Sequence, residues 1–110
     1  VCEHMLQKKE DVILACAAWK DRVNIEDSLF AGAVINRLKD SFDIEGDSSH
    51  VAHNLYILAQ KSLYEFMKKH NASHYHRLTN FGLEKDIRYC LSTDVANVLP
   101  VYIEGKLVTA

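Results

Sequence analysis

Val12-Ile13-Leu14-Ala15-Cys16-Ala17-Ala18, followed by Trp19-Lys20-Asp21-Arg22-Val23 and then by Asn24, is the stretch on which the fold turns. The apolar run is too short for a helix that spans a core, and polar residues bound it on both sides. It predicts a strand from Val12 to Ala17 buried on both faces, as in a parallel sheet. Trp19 to Val23 is then the loop leaving the C-terminal end of that strand. Asn24 opens a helix to about Lys39, with Asn24 and Asp27 as a variant capping box. Ile25, Leu29, Phe30, Ala33, Val34 and Leu38 recur along it at helical spacing. Gly32 inside this helix costs about 1 kcal/mol relative to Ala, which points to close packing against another backbone.

Outward from this unit, residues 2–9 read as the end of a helix. Asp43 to Ser49 is a polar loop that closes as a helix cap. A long helix is expected from about Ser49 to Lys69, with Val51, Ala52, Leu55, Leu58, Ala59, Leu63, Phe66 and Met67 as its apolar stripe. A short helix from about Ser73 to Phe81 ends at Gly82 in the left-handed position, with Leu83 as the contact after it. Another covers about Glu84 to Leu91. Val98 to Ile103, Glu104-Gly105-Lys106 and Leu107 to Thr109 read as a hairpin, with Pro100 placing its strand at an edge. One doubly buried strand and a distant hairpin do not make a layered sheet. The expectation is therefore a helix-rich α/β fold with one buried parallel-type strand and a C-terminal β-hairpin. It would be a single domain, 1–110, forming the C-terminal part of a longer α/β enzyme.

The net charge of −2 carries no basic footprint for nucleic acid. No apolar run approaches the length of a bilayer span. Three widely spaced cysteines, Cys2, Cys16 and Cys90, suggest neither a disulfide framework nor a zinc ribbon, so a cytoplasmic setting is expected. Cys16 and Cys90 read as inert core residues.

Ligands of open α/β sheets bind beyond the carboxyl ends of strands. Trp19 to Asp27 lies there, with one guanidinium, Arg22, and two adjacent carboxylates, Glu26 and Asp27. Arginine clamps phosphate or sulfonate in a planar fork, and carboxylates at a helix start suit Mg²⁺. Acidic residues in a first turn are also expected from the helix dipole alone. Among the six histidines, His50 and His53 are three apart and His70 and His74 four apart. No third ligand falls in register for zinc, which leaves them as solvated or capping side chains. Asp43, Glu45 and Asp47 open like a calcium loop, but Gly46 is misplaced for one and no closing Glu follows.

The run Val12 to Ala17, then Arg22, then Ile25-Glu26-Asp27-Ser28-Leu29-Phe30-Ala31-Gly32, resembles the 2-phosphosulfolactate phosphatase (ComB) family. There an apolar strand ends in a C-A-G turn, followed by a basic residue and an E-D-x-x-x-A-G helix. The tail Ser73-His74, Leu78, Gly82 to Ile87, Tyr89-Cys90-Leu91, Asp94 and Val98 to Val101 is similar to that family's C-terminal segment. Two departures stand out. Cys16-Ala17-Ala18 replaces C-A-G, with the bulky Trp19 after it. The family's first strand, G-E-R segment and T-T-N-G-T turn have no counterpart.

The resemblance implies a Mg²⁺-dependent phosphatase acting on 2-phosphosulfolactate or a similar small phosphorylated or sulfonated acid, a step toward coenzyme M. Arg22 would neutralise phosphate or sulfonate, and Glu26 or Asp27 would bind Mg²⁺ directly or through water. This chain alone would be inactive, and it would expose apolar surface along the strand or pair with a second copy. The competing expectations are a non-catalytic assembly domain and a small-anion-binding module.

Overall fold

The computed structural model describes residues 1–110. Six helices are followed by a hairpin: α1 Cys2–Lys8, α2 Ile25–Leu38, α3 Asp47–Ala59, α4 Leu63–Lys69, α5 Ser73–Asn80, α6 Glu84–Cys90, β1 Pro100–Ile103 and β2 Lys106–Thr109. The fold is helix-rich with a terminal antiparallel hairpin, as the sequence pattern indicates. In the hairpin, Val101 faces Val108 and Tyr102 faces Leu107. Its turn places both Glu104 and Gly105 at positive φ, 49° and 81°, the combination a type I′ hairpin turn requires. Every residue of β2 is exposed.

The buried strand expected from Val12 to Ala17 is not formed. Residues 10–17 make no backbone–backbone hydrogen bond, and Ile13 is 93% exposed. A doubly buried strand exists only between two neighbours that satisfy its amide and carbonyl groups, and these residues meet none. Of the run, Leu14 does pack, against Ala31, Ile35 and Ala52. Cys16 and Cys90, expected in the core, are both exposed. Cys16 lies in this uncovered segment, and Cys90 ends a helix that turns only Ile87 fully inward.

The expected single helix over 49–69 is two helices. It begins earlier, at Asp47 after Gly46, and breaks at Gln60-Lys61-Ser62. Ser62 caps the second piece by accepting the Glu65 N–H at 3.3 Å. Ser62-Leu63-Tyr64-Glu65 is a capping-box sequence, a signal inside the apolar stripe that outranked its continuity. Asn71, at φ 47°, then ends α4. The Ala72 N–H reaches Met67 O and the Asn71 N–H reaches Lys68 O, which is a Schellman closure. Gly82 closes α5 in the same way, with Leu83 N–H to Leu78 O and Gly82 N–H to Thr79 O.

Only 13 of the 110 residues are buried, so the core is thin and depends on a few contacts. Leu29, Ala59, Met67 and Ala72 form one centre, joining α2, α3 and α4. Leu29, 1% exposed, contributes about 1.5–3 kcal/mol by its burial. Ala31, Ile35 and Ala52 form the other. The two helices meet at Gly32, where an added Cβ would lie 2.1 Å from Ala52 O and 2.7 Å from Tyr56 Cβ. The close approach expected from a glycine within the helix is present.

α6 is latched to α4 by a polar cluster. The Tyr64 hydroxyl donates to Glu84 Oε1, Arg88 Nη2 donates to the same oxygen at 3.1 Å, and the guanidinium lies 3.6 Å from the Tyr64 ring centroid. The Tyr64 hydrogen bond first, and Arg88 second, hold the Glu84 carboxyl below the ordinary carboxylate range. The Tyr64 hydroxyl is pushed up by the same bond.

The loop between the apolar run and α2 is a tight turn. Trp19 and Arg22 exchange both backbone hydrogen bonds, at 3.0 and 3.1 Å. Between them Lys20 and Asp21 have φ 51° and 57°. Ala18, just before, has φ 63°. An L-residue held in that region costs about 1–2 kcal/mol.

Three outcomes follow from this packing. Gly32→Ala is expected to destabilise by about 1–3 kcal/mol through backbone overpacking, read as a lower denaturant midpoint at unchanged slope. Ala18→Gly is expected to stabilise by about 0.5–1 kcal/mol, the relieved strain less the entropy that glycine adds to the unfolded chain; Ala17→Gly, the control, should not. The stabilisation from Glu84 is fully present above its unfolded-state pKa and is lost as pH falls through the lower folded value. Glu84→Gln should therefore flatten the acid limb of a stability-versus-pH curve, with the limb between about pH 5 and 9 unchanged in slope.

Candidate functional site

The turn Trp19–Arg22 and the first turn of α2 meet the start of α5, and this junction gathers the polar chemistry of the chain. Asp27 Oδ2 accepts the Ala18 N–H at 2.9 Å. The carboxylate thus closes onto the preceding loop and not onto Asn24 as a capping box would. Asn24 stands at the N-cap without a side-chain capping bond. Its backbone carbonyl accepts both the Ser28 N–H, at 3.2 Å, and the Ser28 hydroxyl, at 2.9 Å. Its side chain turns to His74, with Nδ2 3.0 Å from Nδ1 and 3.3 Å from Nε2.

Glu26 Oε1 meets His74 Nδ1 in an ion-pair contact. His74 Nδ1 thus faces both the Glu26 carboxylate and the Asn24 amide. Burial lowers the His74 pKa, and the nearby Arg77 charge lowers it further. Two acceptors in this cluster are left over. Asn24 Oδ1 and Glu26 Oε2 are buried and have no hydrogen-bond partner. Asn24 as a whole is only 3% exposed.

Beside the carboxylates lies a recess of about 490 Å³, lined by Trp19, Lys20, Arg22, Val23 and Ser73. Trp19 is its wall. The Arg77 guanidinium stacks 4.0 Å from the indole centroid, Lys20 Nζ lies 5.9 Å from it, and His74 meets it edge-on with centroids 5.5 Å apart. Lys20, Arg22 and Arg77 make no ion pair with any carboxylate. Two of these free cations line the recess and the third, Arg77, is held against its Trp19 wall, so that together they attract an anion.

Of the residues singled out from the sequence, Arg22, Glu26 and Asp27 come to this junction, on its cationic and acidic sides. His74, Asn24 and Arg77 also belong to it. In place of the solvated or capping side chain expected from the sequence, the His74 ring is half-buried against Glu26, Asn24 and Trp19. The Ser73-His74 dipeptide before Arg77, a spacing that puts His74 and Arg77 on one helical face, is the signal that marks it. No group of three or more His, Cys, Asp or Glu side chains comes close enough to hold a metal. No helix is long and apolar enough to cross a membrane.

Comparison with known proteins sets this junction in a family. No solved structure matches the chain. A protein of Thermotoga maritima named probable 2-phosphosulfolactate phosphatase is 38% identical over 103 residues, covering 94% of this chain and 44% of that protein. Proteins of the same name from Caldanaerobacter subterraneus and Clostridium novyi are each 30% identical, over 100% and 97% of this chain and 45% of their own length. The chain therefore spans a little under half the length of the curated relatives it matches. The sequence model of the family described as 2-phosphosulpholactate phosphatase matches residues 1–105. That match takes in the Trp19–Arg22 turn, the Glu26-Asp27 helix start and the His74 face together, and by it the chain belongs to the 2-phosphosulfolactate phosphatase family.

Proposed function

We propose that this chain supplies one side of the active site of a Mg²⁺-dependent phosphatase acting on 2-phosphosulfolactate or a similar small phosphorylated acid, the remainder coming from sequence of the kind its longer relatives possess. The observation that carries this reading is one junction with two characters. The unpaired cations Lys20 and Arg22 line a recess and Arg77 stacks on its Trp19 wall, and Glu26 and Asp27 stand at the adjoining helix start. The unsatisfied extended segment, with Ile13 in solvent, supports the part played by further sequence.

The donor chemistry fits Mg²⁺ in part. Mg²⁺ takes one or two carboxylates and fills its remaining positions with waters and substrate oxygens. Glu26 and Asp27 each engage one carboxylate oxygen within the protein, which leaves one oxygen on each. The ion, when bound, would supply Lewis acidity at the phosphoryl oxygens. The chain's own residues do the rest on this side. Arg22 binds and orients the anionic substrate, Arg77 adds a second positive charge fixed against Trp19, and His74 holds Glu26 still. Phosphoryl transfer requires several converging charges, and a single side of the site provides only some of them. The 110 residues alone are accordingly expected to hydrolyse phosphate esters poorly or not at all.

A second reading, anion binding without turnover, is favoured by the lack of a third His, Cys, Asp or Glu in the acidic cluster. Variants of the complete gene product separate the two. Under the phosphatase reading, Glu26→Gln and Asp27→Asn lower Mg²⁺-dependent kcat by about 100-fold or more, and Arg22→Ala mainly raises KM. Asp27→Asn should also cost about 1 kcal/mol of stability through its bond to the Ala18 N–H, so melting is measured alongside. Wild-type turnover and metal dependence in both amide variants, with slightly lower melting temperatures, would reduce the carboxylates to helix-start residues.

A further inference from the structure

Arginine stacks on an aromatic ring at two places in this chain. Arg88 lies 3.6 Å from the Tyr64 centroid, and its Nη2 is committed to Glu84 at 3.1 Å. Arg77 lies 4.0 Å from the Trp19 centroid, and no carboxylate takes up its guanidinium. Stacking uses the flat face of a guanidinium and leaves the N–H donors at its edge free. A half-buried arginine in that state is unfavourable until an anion accepts from it. Trp19 is itself held from two sides. Its backbone exchanges two hydrogen bonds with Arg22, and the His74 ring meets the indole edge-on at 5.5 Å. One turn therefore fixes the wall and sets Lys20 and Arg22 on the lining of the recess.

Resting on the phosphatase reading above, we infer that Trp19 is a positioning residue: it holds Arg77 so that its free donors complete, with Lys20 and Arg22, a seat for one tetrahedral oxyanion, the doubly charged phosphoryl end of a substrate in preference to a singly charged sulfonate. The guanidinium fork matches the oxygen spacing of such a group, and the Ser73 hydroxyl on the same lining is a further donor. Glu26 and Asp27 are not in the lining; they are engaged with His74 and the Ala18 N–H. Coulomb energy is proportional to charge, so cations with no carboxylate among them attract a dianion about twice as strongly as a monoanion. Holding Arg77 in place before the anion arrives removes much of the ordering cost that a free arginine side chain brings to binding.

The test is anion binding by the complete gene product, followed by titration calorimetry and by the fluorine resonance of fluorotryptophan at Trp19, assigned through its loss in Trp19→Leu. Neither depends on turnover. The probes are inorganic phosphate, at mildly alkaline pH where it is a dianion, and methanesulfonate, a monoanion. Phosphate is expected to shift the Trp19 resonance and to bind about fivefold or more tightly than methanesulfonate. Trp19→Leu keeps apolar bulk and removes the aromatic face, and should weaken phosphate binding about 3- to 30-fold. Arg77→Gln should weaken it at least as much. In the Arg77→Gln background, Trp19→Leu should add no more than about twofold, because the indole acts through the guanidinium. Arg77→Lys leaves Trp19 in place and keeps the charge without the planar fork. It should still bind phosphate about threefold or more weakly than wild type, and it decides the matter if Trp19→Leu does not fold.

Phosphate affinity within about twofold of wild type in Trp19→Leu or in Arg77→Lys would overturn the inference. Effects of Trp19→Leu and Arg77→Gln that simply multiply would do the same, as would methanesulfonate binding as tightly as phosphate. Hydrolysis of 2-phosphosulfolactate by the wild type alongside any of these results would leave the phosphatase reading intact. The expected pattern of binding without hydrolysis would instead defeat that reading and leave the anion seat standing.

Discussion

The backbone of α3 can approach α2 only because residue 32 has no side chain. Ala52 O occupies the space that any Cβ there would need. In a chain with so few buried residues this contact decides how the two longest helices lie. The small residues Ala31, Ala52 and Ala59 bring the backbones close, and Leu29 reaches across to Met67 and Ala72. Once α2 is fixed in this way, its first turn is fixed too. Asn24, Glu26 and Asp27 then project toward the loop before them and the face of α5 beside them.

That junction departs from what makes a fold stable and does so at several adjacent points. Ala18, Lys20 and Asp21 hold positive φ within four residues, and two buried oxygens lack donors. Two cations line a recess and a third stacks on its wall, none with a carboxylate to neutralise it. Strain of this kind persists where the surroundings over-determine it, and it collects at functional sites. Here the surroundings are visible: a double backbone bond between Trp19 and Arg22, the Asp27 tether to Ala18, and Trp19 packed on His74 and Arg77. The aromatic residue that follows Ala18 forms the wall of the recess and carries Arg77.

Local periodicity and punctuation determined much of this protein from the sequence alone. The apolar repeat of α2, the stop at Gly82 and the hairpin around Glu104-Gly105 all act over a few residues, and each stands where the sequence places it. Gly32 announced a close approach because a helix tolerates glycine poorly without a packing reason. Arg22, Glu26 and Asp27 were legible as a group because charge follows an apolar run there, and the order of motifs carried the family.

What lay between distant residues was decided only by tertiary structure. An apolar run becomes a strand when neighbouring strands take up its hydrogen bonds, and Val12 to Ala17 has none within these residues. The stripe from Val51 to Met67 is broken because the Ser62 cap and the turn it permits let α4 fold back onto α2. The partnership of His74 with Asn24, fifty residues apart in the chain, has no local signal. A histidine's environment is set by which elements converge on it, and hydrogen-bond geometry exists only once the backbone has brought them together.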